Sequence, residues 1–482
     1  MKKWLLLALF GLSLSGKAQK KYDLQECVAT ALQNNLQLKQ SQLQIQNGQN
    51  TLDQSRYNRY PNLNFNAGGG LQSGRNIDPF TNQFVERTVN FANTGINSGV
   101  TLFNGYQIKN TIKQNELNLQ ATQKDLAATK NTISVNVANA YLSLLNNYEQ
   151  LDISRLQVEA TRLQLERTTK LVNAGSLAQA NMFDLQAQQA NDELVVVNNQ
   201  NAIEVSKLTL KQLMNLPANE DVEVQRVTLP DPTLAVYDAT LDQVYNAAVK
   251  YLPDLEAAQF RIESAKTGVD IAKAAGLPTI TANGGINTNY SSAAPSQQFV
   301  SDGGSPTSVD VPSTTRYVQL SGVRVPIIEK ITIPSGSLQD FTSLDQFRNN
   351  RNASLSINLR MPIFNAYNTK YRKAGAQIQQ KSAELNVQII KNQIRQNVEQ
   401  AYYTMLNAAK RFQATTKQVQ SLELAFKASE SRLNAGSINS LDYNIAKTNL
   451  DRARGNVIQA KYDYIFRTKI LDFYQNKPLV LE

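Results

Sequence analysis

The amino-acid sequence predicts a mainly helical fold made of two copies of one unit, each with a helix, a β-hairpin and a long helical hairpin. Three observations predict it. The sequence matches itself at two offsets, apolar residues recur at helical spacing over long proline-free stretches, and four short segments alternate between polar and apolar residues. A length of 482 residues would otherwise suggest about three domains.

The first 18 residues are predicted to be a removable secretory signal. Lys2 and Lys3 form a positive start, residues 4–14 are apolar, and Gly16-Lys17-Ala18 fits a cleavage site. A membrane anchor is the alternative, but it needs about 20 apolar residues. We therefore expect an exported protein.

Composition excludes most catalytic chemistry. The chain has no His and a single Cys, which removes His-based catalysis, His-ligated zinc, internal disulfides and multi-cysteine metal sites. Glycines 68–70 lack the Lys and Ser/Thr of a phosphate-binding loop. The excess of 49 Lys and Arg over 39 Asp and Glu is scattered along the chain, which does not indicate nucleic-acid binding. No catalytic residue, cofactor or metal is predicted.

The internal repeat defines the predicted domains. Residues 102–106 match residues 363–367 at an offset of 261, whereas Pro61 matches Pro278 at an offset of 217. The difference of 44 residues is an insertion in the second copy. The first unit is predicted at 19–216 and the second at 240–475, with a linker at 217–239 and a C-terminal tail at 476–482.

Each unit is predicted to contain a long helical hairpin, at about 105–215 and about 366–475. Apolar residues step by three and four, as in a coiled-coil core. Glycines at the predicted turns can adopt the left-handed conformation that ends a helix, and the following serines can cap the next helix. The stripe residues are Ile133, Val137, Ala140, Leu144, Tyr148 and Leu151, with their counterparts Ile394, Val398, Ala401, Met405, Ala409 and Phe412.

The β-hairpins are predicted at about 62–103 and about 279–364. Their strands alternate, as in Ser354, Ser356 and Asn358 against the aliphatic residues between them. Such segments fit a membrane β-strand, although a half-buried soluble sheet alternates in the same way. A membrane barrel must close and needs about eight strands, so four strands per chain require an oligomer, and three copies would give twelve. Polar faces would then line water, aliphatic faces would meet lipid, and an aromatic girdle would come from Tyr57, Tyr60, Phe103, Tyr106, Phe364 and Tyr367.

The order of these features resembles that of the TolC-like outer-membrane efflux proteins, over nearly the whole mature chain. The resemblance rests on the two repeats, the helix-to-strand prolines Pro61 and Pro278, and the strand exits at 102–104 and 363–365. It implies a homotrimer in the cell outer membrane, with a twelve-stranded barrel continued by a helical tunnel into the periplasm. It also implies docking to a periplasmic adaptor of an inner-membrane pump (RND or ABC type) and export of small molecules or proteins. A soluble periplasmic coiled-coil scaffold or adaptor is the alternative.

The resemblance also assigns candidate site residues. The family's adaptor-contacting turns match two tip segments in this sequence. The family's paired acidic residues at the entrance match Asp442 and Ile445, so a single ring at Asp442 is expected, with Asp184 in the corresponding region of the first copy. The tip segments are Asn173, Ala174, Gly175 and Ser176 in the first copy and Asn434, Ala435, Gly436 and Ser437 in the second.

Overall fold

The computed structural model describes residues 21–77, 82–217, 219–227, 229, 231–232 and 237–478. The predicted signal and the last four residues of the predicted tail lie outside this range. The helices are α1 (Leu24–Asn34), α2 (Leu36–Tyr57), α3 (Gln107–Asn173), α4 (Gln179–Leu213), α5 (Leu241–Tyr251), α6 (Pro253–Ala274), α7 (Ser343–Asn349), α8 (Asn368–Asn434) and α9 (Ser440–Tyr474). The strands are β1 (Lys21–Tyr22), β2 (Asn62–Gln72), β3 (Arg75–Ile77), β4 (Phe84–Glu86), β5 (Val89–Asn104), β6 (Glu223–Val224), β7 (Thr279–Ser291), β8 (Gln297–Ser301), β9 (Thr307–Leu320), β10 (Val323–Ile333), β11 (Gly336–Asp340) and β12 (Asn352–Arg360).

The predicted internal repeat is confirmed helix by helix. Helices α3 and α8 each have 67 residues, and α4 and α9 each have 35. Helices α5 and α6 have the same lengths as α1 and α2, with 11 and 22 residues. A helix of 67 residues is about 100 Å long at 1.5 Å per residue. The predicted mainly helical class with two pseudo-repeats is therefore correct.

The chain divides into two compact units. One contains residues up to Asp53, Lys113–Val269 and the chain from Ala374 onward, and the other contains Gln54–Ile112 and Asp270–Lys373. Among the described residues of the first unit, the only strands are β1 and β6, which form a short parallel pair. The second holds the long strands and the ends of the helices that adjoin them.

The helical unit has two hydrophobic clusters, one centred on each copy. The predicted stripe of α3 is buried throughout, with Val137 and Leu144 fully buried. In α8 the stripe residues Ile394, Val398, Met405 and Phe412 are buried. Helix α9 contributes to both clusters, since Tyr462 packs in the first and Leu471 in the second. The two copies are therefore joined by shared packing as well as by the chain.

Side-chain caps fix where the short helices begin. Asp23 accepts a hydrogen bond from the Glu26 amide and completes a capping box before α1. Thr240 and Gln243 form the equivalent box before α5. A capping box satisfies backbone N–H groups that have no partner inside the helix. The same kind of N-terminal cap therefore occurs at equivalent positions of the two copies.

Candidate functional site

The four long strands form one antiparallel sheet in the order β12–β7–β5–β2. The two hairpin partners predicted for each copy pair directly, β2 with β5 and β7 with β12. The copies meet between β5 and β7, where Ile96 is opposite Ile286. Strands β2 and β12 are the edges of this sheet. Four strands with two edges do not close a barrel.

One face of the sheet is aliphatic and exposed. In β12, Leu355, Ile357 and Leu359 are 84%, 70% and 69% exposed. In β2, Leu63 and Phe65 on the same face are 75% and 70% exposed. A half-buried soluble sheet would cover this face with its own core. Here the apolar face is exposed in the single chain.

The opposite face of the sheet carries Asn, Ser and Thr, with glycines beside the asparagines. Asn64, Asn97, Gly285 and Ser354 form one row across the four strands. A Cβ placed on Gly285 would lie 2.3 Å from the Asn97 side-chain oxygen. The asparagine side chains therefore occupy the space left by glycines on neighbouring strands. This face is polar and uncharged along most of its length.

A bulge interrupts the regular pairing of β5 with β7 near the end of β5. The register shifts between Thr101 and Phe103, so that Phe103 is opposite Ile280 and Leu102 has no partner in the ladder. A β-bulge adds one residue to one strand and reverses the alternation beyond it. The pattern of residues alone does not show where such a shift occurs.

The predicted aromatic girdle residues lie where the sheet meets the helices. Tyr57 is the last residue of α2 and Tyr60 follows it, and their ring centres are 6.0 Å apart. In the strand-to-helix connections, Phe103 meets Tyr106 edge to face and Phe364 meets Tyr367 in the same way. These aromatic pairs repeat at the offset of the helical hairpins.

The segments between paired strands are not simple loops. The first contains the small hairpin β3–β4. The second, with the 44 extra residues, contains the pair β8–β11 and, between those strands, the longer hairpin β9–β10. Its tip at Ser321 and Gly322 has φ angles of 49° and 88°, which suits a two-residue hairpin turn. The Ser-, Gly- and Pro-rich composition did not reveal this strand structure.

Both predicted helical tips are tight turns closed by a left-handed glycine. Gly175 and Gly436 have φ angles of 75° and 70°. The Ser176 amide donates to the Leu171 carbonyl at 2.9 Å, and the Ser437 amide donates to the Arg432 carbonyl at the same distance. In each turn the amide of the sixth residue bonds to the carbonyl of the first, which provides a partner for a carbonyl at the end of the helix. The predicted glycine conformation is confirmed in both copies.

The predicted serine caps are wrong. Helix α4 begins at Gln179 after Ala178, which makes no side-chain cap, so Ser176 does not cap this helix. Helix α9 is capped by Asn439, whose side-chain oxygen accepts from the Asp442 amide at 2.8 Å. Each turn is therefore longer than the glycine and serine positions suggested, and α4 and α9 begin further along the chain than predicted.

The two candidate acidic residues differ in their surroundings. Asp442 lies in the first turn of α9, and its side chain is exposed. Asp184 lies on α4, where its carboxylate is 3.0 Å from the Ser440 hydroxyl of α9. The same hydroxyl lies 2.7 Å from the Asn181 side-chain oxygen. Asp184 thus joins two helices, whereas Asp442 faces solvent in the isolated chain.

A buried ionic cluster between α3, α4 and α9 was not predicted. Lys447 is 3% exposed and donates to Asp192 at 3.0 Å and to Asp451 at 2.7 Å. Asp192, also buried, accepts from Gln188 of its own helix and from Thr161 of α3. Burial raises the pKa of the Asp451 carboxyl, an effect that the neighbouring Lys447 opposes. The residues are far apart in sequence, so no local pattern indicates the cluster.

The raised pKa of Asp451 predicts a pH effect on stability. The folded protein holds this proton more tightly than the unfolded chain, so stability should fall as pH rises from the ordinary carboxyl pKa through the folded value. Replacing Asp451 with Asn should remove that part of the pH dependence. Urea unfolding between acidic and neutral pH measures the slope, with Asp242→Asn as an exposed control. An unchanged slope in Asp451→Asn would contradict the prediction.

None of the helices in the described ranges is both long and apolar enough to cross a membrane. Nor do His, Cys, Asp and Glu side chains in those ranges group in a way that could hold a metal ion.

Solved structures with the same fold include an outer-membrane protein and an outer-membrane channel. CusC aligns with a TM-score of 0.71 at 17% identity, covering 94% of this chain and 92% of that chain. VceC from Vibrio cholerae aligns with a TM-score of 0.69 at 15% identity, covering 95% and 97%. The open-state MtrE channel of Neisseria gonorrhoeae aligns with a TM-score of 0.62 at 17% identity, covering 94% and 88%. No curated protein matches the chain significantly in sequence.

The family comparison covers both copies of the repeat. The sequence profile of the family described as outer membrane efflux protein matches residues 27–216 and 335–469, which is more than half of the chain. The match includes both helical hairpins and leaves out most of the inserted strands. It excludes the alternative of a soluble periplasmic scaffold. The chain therefore belongs to the outer membrane efflux protein family, located in the cell outer membrane with its helices in the periplasm.

Proposed function

We propose that three copies of this chain form an outer-membrane channel that exports small molecules or proteins from the periplasm to the exterior. The observation that carries this proposal is the four-stranded sheet with two open edges and an exposed aliphatic face. Pairing β2 of one copy with β12 of the next would remove every edge, and three copies supply twelve strands. A closed barrel satisfies all backbone groups in lipid, which an open sheet does not.

A second exposed stripe supports contact between copies in the helical unit. Along α4, Leu194, Val197, Val205 and Leu208 are 57%, 49%, 63% and 51% exposed. Their spacing of three, eight and three residues places them on one side of the helix. Such a stripe is typical of a helix that packs against another helix. In the trimer, a neighbouring copy would cover it.

The proposed transport involves no chemical step by the protein. The polar face of the sheet would line the barrel with amide and hydroxyl groups, which offer hydrogen bonds without strong charge. The energy for export would come from an inner-membrane pump, reached through a periplasmic adaptor. CusC is described in terms of transmembrane channel formation, which is consistent with this role.

Channel activity can be measured directly in planar lipid bilayers. Purified full-length protein should produce uniform conductance steps when added with detergent. Recovery of the protein in the soluble periplasmic fraction, or absence of any conductance from inserted protein, would contradict the proposal. The variant Ile357→Arg, expected not to insert, provides the matched negative control.

We also propose that the two tips dock the adaptor. The tip segments, Asn173–Ser176 and Asn434–Ser437, are exposed, and a Cβ added to either tip glycine would meet no atom within 4 Å. The turns therefore present backbone and small side chains with free space above them. Complementary helical turns of a partner could approach closely there.

Bulky residues at the tips should block docking without straining the turns. Ala174→Trp combined with Ala435→Trp leaves the left-handed glycines in place. We expect adaptor recovered by mild crosslinking to fall about tenfold or more, as for disruption at the centre of an interface. Conductance should persist, and Gln418→Trp on the exposed surface of α8 should leave crosslinking unchanged. Unaltered adaptor recovery in the double variant would refute docking at the tips.

Asp442 is the proposed charge at the entrance. In a trimer, three exposed Asp442 side chains near the tips would form a ring that attracts cations. Asp442→Asn should shift the reversal potential in a salt gradient toward lower cation preference. Asp184→Asn should shift it less, because Asp184 is held by Ser440. A larger shift in Asp184→Asn would assign the ring to the first copy.

A further inference from the structure

Basic residues lie at three of the four junctions between the sheet and the helices. Residues 58–61, 105–112 and 365–373 contain five Lys or Arg and no Asp or Glu. The fourth junction is neutral, since Lys273 pairs with Asp270 at 2.8 Å. We call the five residues the basic rim. They are Arg59, Lys109, Lys370, Arg372 and Lys373, and all are exposed.

Two lysines of the rim, one in each copy, lie beside an exposed aromatic ring. Lys109 Nζ lies 6.0 Å from the centre of the Tyr106 ring, and Lys370 Nζ lies 5.6 Å from that of Tyr367. The two tyrosine side chains are 62% and 60% exposed. Within the described part of the chain, neither lysine forms an ion pair. Lysine and tyrosine thus lie together at the surface.

Both tyrosines have a left-handed backbone conformation. Tyr106 has a φ angle of 66°, and Ala366 and Tyr367 have φ angles of 50° and 60°. Residues with a side chain rarely adopt this left-handed region, because Cβ crowds the following carbonyl. The same unfavourable conformation appears at equivalent positions of both copies. Strain that recurs in this way points to a functional requirement for the position of the ring.

From this we propose that the basic rim binds anionic phospholipid headgroups of the periplasmic leaflet of the outer membrane. The inference rests on the proposed placement of the aliphatic sheet face in lipid. The strand ends then lie at the depth of the headgroups, where tyrosine rings with one apolar and one polar side are stable. Unpaired Lys and Arg at that depth attract anionic lipid, changing affinity about fivefold per charge.

The adjacent apolar surface favours lipid over an acidic protein as the partner. Ile363 and Phe364, which precede Tyr367, are 96% and 75% exposed. Leu63 begins the exposed aliphatic row of β2 next to Tyr60. A surface that changes from aliphatic to aromatic to cationic over a few residues matches the order of acyl chain, interface and phosphate in a bilayer leaflet.

The test compares lipids retained by the protein after extraction from mixed vesicles. Full-length protein is reconstituted in phosphatidylcholine mixed with phosphatidylglycerol, extracted in mild detergent, and analysed for bound lipid by mass spectrometry. We expect phosphatidylglycerol to be enriched over its share in the vesicles. Lys109→Gln with Lys370→Gln should lower the enrichment about fivefold or more. Lys410→Gln with Lys427→Gln, the same charge change at exposed positions of α8, should not lower it.

Separate outcomes distinguish this inference from the proposed channel. If the protein conducts but retains both lipids in their bulk proportion, lipid binding at the rim is refuted while the channel stands. Equal loss of enrichment in both double variants would refute the rim as the site and indicate a general charge effect. Displacement of the lipid by inorganic phosphate at moderate concentration would also refute it, since the site would then recognise a free anion. Protein that neither inserts nor conducts would refute the channel itself.

Discussion

Replacing Lys447 with methionine is expected to destabilise the helical unit by about 3–5 kcal/mol. Lys447 is 3% exposed and lies between the carboxylates of Asp192 and Asp451. Without it, two buried acidic groups face each other with no cation. Equilibrium unfolding in urea, followed by circular dichroism in detergent, measures the change.

A restoring variant separates charge from packing. Lys447→Met combined with Asp192→Leu and Asp451→Leu should recover most of the loss, because a buried ionic group replaced by apolar residues of similar volume is often as stable. Lys417→Met, at an exposed position of α8, is the matched control and should change stability by less than about 0.5 kcal/mol. A loss for Lys447→Met as small as that of the control would show that the cluster is solvated.

An arginine on the aliphatic face of the sheet is expected to prevent membrane insertion. Ile357 of β12 is 70% exposed in the chain, and in the proposed barrel it would meet lipid. A charged residue facing lipid near the middle of a barrel costs about 2–4 kcal/mol per chain. Three copies would triple this cost in a trimer. Ile357→Arg should therefore accumulate outside the membrane or be degraded.

The neighbouring residue provides a control on the same strand. Asn358 lies on the polar face, opposite Thr281. Asn358→Arg should insert normally and change only the conductance or ion preference of the channel. Heat-sensitive oligomers on gels and the amount of protein in outer-membrane fractions report the outcome. Equal insertion of both variants would show that the aliphatic face does not contact lipid.

The long helices and the duplication could be predicted because each is a repeated signal. The apolar stripe from Ile133 to Leu151 recurs over several turns, and the offset between Gly175 and Gly436 confirms it in a second copy. Both stripes are buried for the most part, and every helix of the first copy has a partner of equal length. Agreement between two copies removes much of the ambiguity of a single pattern.

The sequence did not predict features that depend on single residues or on contacts between distant parts of the chain. The bulge beside Leu102 and the cap at Asn439 shift the chain by one or a few residues without changing its periodicity. The contact between Lys447 and Asp192 joins residues from different copies, and neither has a charged counterpart of the same kind at the repeat offset. Tertiary packing alone brings them together.

The candidate site residues also include some that the local sequence indicates and some that it does not. The tip glycines and the girdle aromatics follow from local sequence, and the structure places them at a tight turn and at the sheet ends. Their roles in docking and in membrane contact stay predictions, since both need a partner molecule. The left-handed conformation of Tyr367 had no sequence signal, because Ala366 precedes it where the first copy has Gly105.

The mass of the intact complex tests most directly the claim that the barrel is completed by three chains. Full-length protein extracted from membranes in mild detergent, freed of the predicted signal, would be measured by native mass spectrometry. The proposed channel predicts a single species with three times the mass of the chain, which separates into single chains on heating. A species of one or two chains that still conducts in bilayers would contradict it, because four or eight strands from this sheet would then form the pore.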